Sequence, residues 1–312
     1  MWAMIMRRLS VSVISLALLV TLVFFMIHAT PGGPAYSILG SHASPEAVAA
    51  LNRQMGLDRP LLDQYGIWWD HLLEGRLGYS YIQHVGVSRL IGVYLDRTLA
   101  LDLGALALAI LVSLVVGLLQ GYWADRLGGR IIGFLQIVFY AMPVFFTGIL
   151  LIYVFSIRLD WLPPGGVGHP GWVGRLRHLT LPVLTLALPV SAGFSRYFGH
   201  QAREEYRQDY VRTARARGLS EWRIATRHVL RNAVRPFVTL VGMMIPVLFV
   251  GGVLTESVFN YPGLGWLLWR SALDQDYPTL SAITLLIGVL TILGNLVADL
   301  LNSILDVRVR YE

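Results

Sequence analysis

Few residues in this chain are equipped for covalent chemistry. All 25 of its basic residues are Arg, and there is no Lys. A Walker A loop is therefore excluded, because its phosphate-binding Lys has no candidate. Schiff-base and pyridoxal chemistry, which need an amine nucleophile, are excluded with it. If ATP drives this protein, another chain binds it. The sequence also has no Cys, which removes disulfides, thiolate zinc sites and thiol nucleophiles. The eight His show no His-x-x-x-His pairing, and neither Gly-x-Ser-x-Gly nor His-Glu-x-x-His occurs. No metal site, catalytic set or cofactor site is expected.

What remains is charge in patterned positions. The segment Gln201 to Pro236 is polar, basic and helical by propensity. One helix is expected from about Arg203 to Arg217, closed by Gly218, a residue free to take positive φ. Ser220 can cap a second helix with Glu221 in its first turn, where a negative charge complements the helix dipole. That helix is expected to end before Pro236. Arg223, Arg227, Arg231 and Arg235 lie four apart and form one stripe along it. Such a stripe suits a solvated face, anionic lipid headgroups or a protein partner.

These residues need elements to hold them, and composition says in which solvent. Of 312 residues, 55% are apolar and only 14% charged, against about 25% charged in soluble domains. With a mean hydropathy of +0.59, the chain reads as an all-α, polytopic membrane protein. Stretches long enough to span and free of Asp, Glu and Arg run approximately from Leu9 to Ile27, Leu103 to Trp123, Ile131 to Ile157, His178 to Ser195, Phe237 to Leu254 and Tyr277 to Ala298. Six transmembrane helices are expected. The first is too long for a signal-peptide core and reads as a retained anchor. Pro143, Pro182, Pro189 and Pro246 interrupt spans three to five and should kink them.

When six helices alternate across a bilayer, 16 Arg fall on the side of the two termini and nine on the other. The positive-inside rule then makes both termini cytoplasmic. The formal charge of +6 and pI near 9.7 belong to those loops rather than to a nucleic-acid surface. The chain divides into an N-terminal anchor at 1–28, an extracytoplasmic segment at 29–98 and a five-helix core at 99–312 with a cytoplasmic loop at about 201–236. The segment 29–98 has structure of its own. Ser44 and Pro45 start a helix carrying Val48, Leu51 and Met55 up to Gly56. Leu62, Tyr65, Trp68, Trp69 and Leu72 form a second amphipathic run before Gly75, its Trp pair suited to a membrane interface. This subdomain either binds a partner or covers the bundle. In the last span, Asn295 sits one turn before Asp299 on the same face. An ionisable group at that depth must face protein or water, so Asp299 either pairs with an Arg of a neighbouring helix or lines a pathway exit.

The run Gln208-Asp209-Tyr210-Val211-Arg212-Thr213-Ala214-Arg215-Ala216-Arg217-Gly218-Leu219-Ser220-Glu221, followed by Arg227-His228 and Leu230-Arg231-Asn232-Ala233, resembles the cytoplasmic loop of dipeptide, oligopeptide and nickel permeases of binding-protein-dependent ABC importers. Gly56-Leu57-Asp58-Arg59-Pro60, the stretch from Glu256 to Gly265, Asp276-Tyr277-Pro278, and Asn295-Leu296 with Asp299-Leu300 look like the same family, in colinear order over nearly the whole chain. There are departures. Arg212-Thr213-Ala214 stands where the broader importer loop begins Glu-Ala-Ala, as is usual in the peptide branch; Val307 replaces a common Pro and Gly33 a frequent Asp.

The resemblance implies a type I importer transmembrane domain in a bacterial inner membrane. It implies a second related permease subunit beside it, two ATPase subunits below and a solute-binding protein above, with no nucleic acid involved. Asp209, Tyr210, Arg212, Thr213, Ala214, Gly218 and Glu221 would then couple to the ATPase, and Glu256, Asn295 and Asp299 would serve the bundle or its gate. Peptides are the commonest cargo, with nickel chelates, glutathione and opines also known; no nickel pathway is visible in the His residues. Two other classes fit less well. A secondary transporter calls for inverted repeats or several buried charges, and an intramembrane enzyme for an activated nucleophile with its base, whereas the spans hold scattered Ser and Thr and His28 and His178 fall at span ends.

Overall fold

The structure is a computed structural model and describes residues 2–28, 35, 39, 43–80, 82–168, 171–248 and 252–305. Gly33, Val307 and the side chain of Asp299 lie outside the described residues. The elements are α1 (Trp2–His28), α2 (Pro45–Met55), α3 (Leu61–Leu73), β1 (Tyr79–Ser80), β2 (Val85–Gly86), α4 (Val87–Tyr122), α5 (Leu127–Ala141) and α6 (Val144–Leu151), which runs on through a π segment (Ile152–Arg158). Then come α7 (Trp172–Tyr206), α8 (Asp209–Ala216), α9 (Glu221–Ile224), a second π segment (Ala225–Val229), α10 (Leu230–Leu248), α11 (Gly252–Val258), α12 (Leu264–Leu273) and α13 (Tyr277–Leu305). The chain folds into two compact units, one of Met1–Thr98 with Pro262–Ile292, the other of Leu99–Tyr261 with Leu293–Glu312.

In the first unit, α2 starts and stops as its sequence dictates. Ser44 is extended and its Oγ accepts the Ala47 N–H at 3.2 Å, with Pro45 in the first turn, where a missing N–H costs nothing. Gly56 at φ 69° closes the helix through bonds to the Arg53 and Asn52 carbonyls. Helix α3 turns its aromatic face to α1: the Tyr65 and Trp68 rings lie 5.2 and 5.3 Å from Phe24, and the Tyr65 and Thr21 hydroxyls are 2.7 Å apart. The hairpin β1–β2 pairs antiparallel with Tyr79 opposite Gly86. It is pinned by buried Asp276, whose Oδ2 accepts from Ser80 Oγ at 2.5 Å and from Thr279 Oγ1 at 2.7 Å. Beneath it, Val87, Leu90, Ile91, Leu264, Leu267, Ala282 and Ile283 form one core.

In the second unit, α4 and α7 approach closely. A Cβ on Gly117 would meet the Phe198 ring at 2.7 Å, and one on Gly121 would meet Ala202 Cβ at 2.8 Å, so small residues set the helix separation. A polar lock joins three helices: Gln120 and Gln136 exchange reciprocal amide bonds of 2.9 Å, and Gln136 Nε2 also donates to Ser195 Oγ at 3.0 Å. Amides satisfied this way are tolerated in apolar surroundings, where an unpaired one would be costly.

The expected spans are found in altered form. Among the described residues three helices are long and apolar enough to cross a membrane, Val87–Tyr122, Trp172–Tyr206 and Tyr277–Ala298. The expected third span is broken: α5 and the helix from Val144 meet at a bend of 104°. The cause is local. Pro143 keeps Met142 extended (ψ 128°) by the clash that bars a helical residue before proline, and Pro143 itself has ψ 137° and precedes the next helix. Pro182 and Pro189, by contrast, lie inside α7, which continues past both. Among the described side chains the apolar stretch of α1 runs from Ser10 to Met26, with Leu9 and Ile27 of the expected first span outside them, and the expected fifth span includes residues 249–251, which lie outside the described ones.

Candidate functional site

The loop between α7 and α10 is built almost wholly from local signals. Helix α7 runs to Tyr206, further than the sequence indicated, and the chain breaks at Arg207 and Gln208 before α8 begins with Asp209 in its first turn. One face of this two-turn helix is buried: Val211 and Ala214 pack with Tyr206, Ile224 and Val229. The opposite face carries Asp209, Arg212, Thr213 and Ala216, all exposed, with Arg212 and Asp209 paired at 3.2 Å.

Gly218 ends α8 as expected. At φ 75° it sits in the left-handed region. Its N–H reaches the Arg215 carbonyl at 2.9 Å while the Leu219 N–H reaches that of Ala214 at 3.2 Å, the double bond pattern of a Schellman turn. Ser220 is extended at the N-cap of α9, but its side chain makes no capping bond. Glu221 has a role that the sequence did not reveal. Arg215 clamps it with Nε to Oε1 at 2.7 Å and Nη2 to Oε2 at 3.2 Å, so a bidentate pair spans the Gly218 turn. The bond to Glu221 holds the Arg215 guanidinium above its ordinary range.

Tyr210 is tied within the chain. Its hydroxyl donates to Glu205 Oε2 at 2.5 Å and accepts from Asn232 Nδ2 at 3.2 Å. Burial first, and then the hydrogen bond to Glu205, push the phenol up, so it keeps its proton as a donor. The three groups come from α7, α8 and α10, and their separations of five and 22 residues are not ones that helical spacing signals.

The second helix does not stop before Pro236. From Glu221 it continues through the π segment into α10 and past Pro236 to Leu248. The extra residue in the π turn keeps Ile224 and Val229, five apart, on the same buried face, followed by Ala233 and Phe237. Arg223, Arg227, Arg231 and Arg235 are all exposed on the other side.

Of the bundle residues, Glu256 is 0% exposed on α11 and Asn295 is exposed on α13; Asp299 has no described side chain. The structure adds Asp102, 4% exposed, which lies within α4 because that helix starts at Val87 and not near Leu103. A Cβ on Gly252 would sit 3.2 Å from Glu256 Oε1 and 3.7 Å from Asp102 Oδ1, so the two acids face the same glycine. Among the described residues Asp102 Oδ2 has no hydrogen-bond partner, and no group of His, Asp and Glu is arranged to hold a metal ion.

A helical protein with helices long and apolar enough to cross a membrane, one pair of them bent at a proline, and a capped basic loop between two long helices has the make-up of a polytopic membrane protein. Residues 103–311 match the family described as binding-protein-dependent transport system inner membrane component, and residues 1–102 match the N-terminal module of such membrane components. The chain belongs to this family: it is an inner-membrane permease subunit of an ABC importer. It is 35% identical over 308 residues to the glutathione transport system permease protein GsiC of Salmonella choleraesuis, with 99% of each chain covered. It is 37% identical over 319 residues to the oligopeptide transport system permease protein AppB of Bacillus subtilis, covering all of both chains.

Proposed function

We propose that this chain forms half of the translocation pathway of a peptide importer, pairing with a second homologous permease, receiving solute from a binding protein and resting on two ATPase subunits through α8. Peptides and glutathione are the cargo in the names of its relatives, and a small peptide-like solute is the corresponding substrate here. The six-span topology with cytoplasmic termini rests on the split of 16 and nine Arg. Reporter fusions test it: one at Gln64 should read outside and one at Arg215 inside, and the reverse pattern would overturn it.

The single observation that carries the coupling role is the two-faced α8. Val211 and Ala214 anchor one side in the permease, while Asp209, Arg212 and Thr213 stay exposed on the other. A short helix held so firmly can pass rigid-body motion between subunits. The chain has no Cys, so single substitutions can be read without background. In a complex assembled with its ATPase chains, Thr213→Cys should cross-link to an ATPase subunit and Ala214→Cys should not. Cross-linking at neither, or at Ala214→Cys alone, would show that another face meets the ATPase.

A further inference from the structure

Asp102 on α4 is buried, only 4% exposed, and among the described residues its Oδ2 has no hydrogen-bond partner. What it faces is a second acid. Gly252, Thr255 and Glu256 are the buried residues of α11, and their spacing puts them on one face of that helix. A Cβ on Gly252 would lie 3.2 Å from Glu256 Oε1 and 3.7 Å from Asp102 Oδ1. Both carboxyls thus close on the same glycine, and Glu256 is 0% exposed.

The elements packed around Asp102 bring it no counter-charge. The charged group that acts on it is Glu256. Helix α7 contributes Leu181, packed with Leu101 in one apolar core, and Val183, 3.3 Å from a Cβ on Gly104. On α4 itself, Arg97 directs Nη1 to the Pro262 carbonyl at 3.2 Å and lies over the Tyr94 ring. Among the described residues Asp102 is in no ion pair. Neither acid belongs to an expected span: Asp102 precedes the second, which starts at Leu103, and Glu256 follows the fifth, which ends at Leu254.

An ionised carboxylate buried in this way is far more costly than a neutral acid, so the charge has to be neutralised. Burial selects what neutralises it. The pair is closed off within this one chain, out of reach of an arginine from a partner subunit or an amine on the cargo. A metal ion needs a fuller set of oxygen ligands, and among the described residues no group of His, Asp and Glu is arranged to provide one. A proton needs no room, and two carboxyls that share a site relieve their repulsion by keeping one.

We infer that Asp102 and Glu256 form a proton-binding site, in which Asp102 carries the proton and donates it in a hydrogen bond to the Glu256 carboxylate, tying α4 to α11. The orphaned acid then has a partner, and a single negative charge remains on Glu256. Loss of the proton places two like charges at one glycine and drives the helices apart. The inference concerns protonation and stands apart from cargo and coupling.

The test uses the full chain purified in detergent. Its infrared spectrum at neutral pH should contain the C=O band of a protonated carboxyl, which carboxylates lack, and Asp102→Asn should remove that band. Glu256→Gln should make the band vanish at a lower pH than in wild type, because the like charge that favours the proton is gone. Asn has the shape of the neutral acid and an N–H in place of its O–H, so Asp102→Asn should fold. Above the ordinary carboxylate range of about 4, the folded wild type holds one proton more than the unfolded chain, and its stability falls as pH rises until the pair ionises. Asp102→Asn lacks this contribution, so the gap between its Tm and that of wild type should widen in the variant's favour, to several degrees at alkaline pH. A wild-type spectrum without the band would overturn the proposal, as would a band of equal intensity in Asp102→Asn, which would assign it to another acid. So would failure of Asp102→Asn to fold, which would show that the position requires a charge, or a Tm gap that does not change with pH.

Discussion

Gly218→Val should leave insertion and expression near normal while ATP hydrolysis stimulated by the binding protein and solute uptake fall together. The reason lies in the backbone alone. At φ 75° the residue occupies a region that β-branched side chains rarely adopt, yet a Cβ built there meets nothing within 4 Å. Steric collision with neighbours is therefore no part of the effect. Holding Val in that conformation costs on the order of 1 to 3 kcal/mol. The Arg215–Glu221 clamp that opposes relaxation of the turn is 42% exposed on both sides, and exposed pairs contribute about 0.2 to 1 kcal/mol. The clamp alone does not offset the strain, so the turn opens, and α8, held then by Val211 and Ala214 against Ile224 and Val229 without a fixed C-terminal end, loses its orientation. Asn, which tolerates the left-handed region, should restore much of the activity at this position. If reconstituted complexes carrying Gly218→Val hydrolyse ATP and import solute at the wild-type rate, α8 is not the coupling element.

Gly218 was legible in the sequence because helix termination is a local matter, settled by one residue's freedom to take positive φ. The same holds for α2, where Ser44, Pro45 and Gly56 define both ends. The features less legible in the sequence depend on contacts off the helical period, between one helix and the next, or on departures from regular geometry. Tyr210 was expected to couple to the ATPase; its hydroxyl is also engaged within the chain by Glu205 and Asn232, and neither contact follows from helical spacing. The π segment hid the continuity of the second helix, since buried residues five apart fit no 3.6-residue period. Pro236 then suggested a stop, although a membrane helix tolerates the loss of one hydrogen bond when other helices pack around it. Asp102 is not marked by the sequence pattern, because the charge-free stretch begins after it, whereas α4 carries Arg89, Asp96, Arg97 and Asp102 before its apolar run. Pro143 was recognised as a kink, but whether a proline bends a helix or breaks it depends on the conformation of the residue before it.

The second large effect is expected at the base of the loop, where the two long helices that carry it are joined by aromatic rings. Phe237 on α10 is buried against Phe194, edge-on at 5.6 Å, and Phe198 at 5.2 Å, both on α7. Phe198 also fills the space left by Gly117 on α4, so the rings tie three helices together. Phe237→Ala removes one ring from this contact. In protein cores such a truncation costs about 3 to 5 kcal/mol, and within a membrane the loss is one of packing, because lipid is as apolar as the side chain removed. The purified chain should lose several degrees of Tm, and coupled ATP hydrolysis should fall because α8 then stands on a base that yields when pushed. Phe237→Leu, which keeps most of the volume, should recover both. The pair of variants separates two failures that would look alike in an uptake assay: Gly218→Val should uncouple with the smaller loss of Tm, its strain relieved by local opening of one turn, whereas Phe237→Ala should lower Tm more and coupling with it. A wild-type Tm with full coupling in Phe237→Ala would mean that the loop draws its rigidity from elsewhere, from contacts such as the Gln120–Gln136–Ser195 lock and the Ser113–Ser191 bond that also brace α7 against its neighbours.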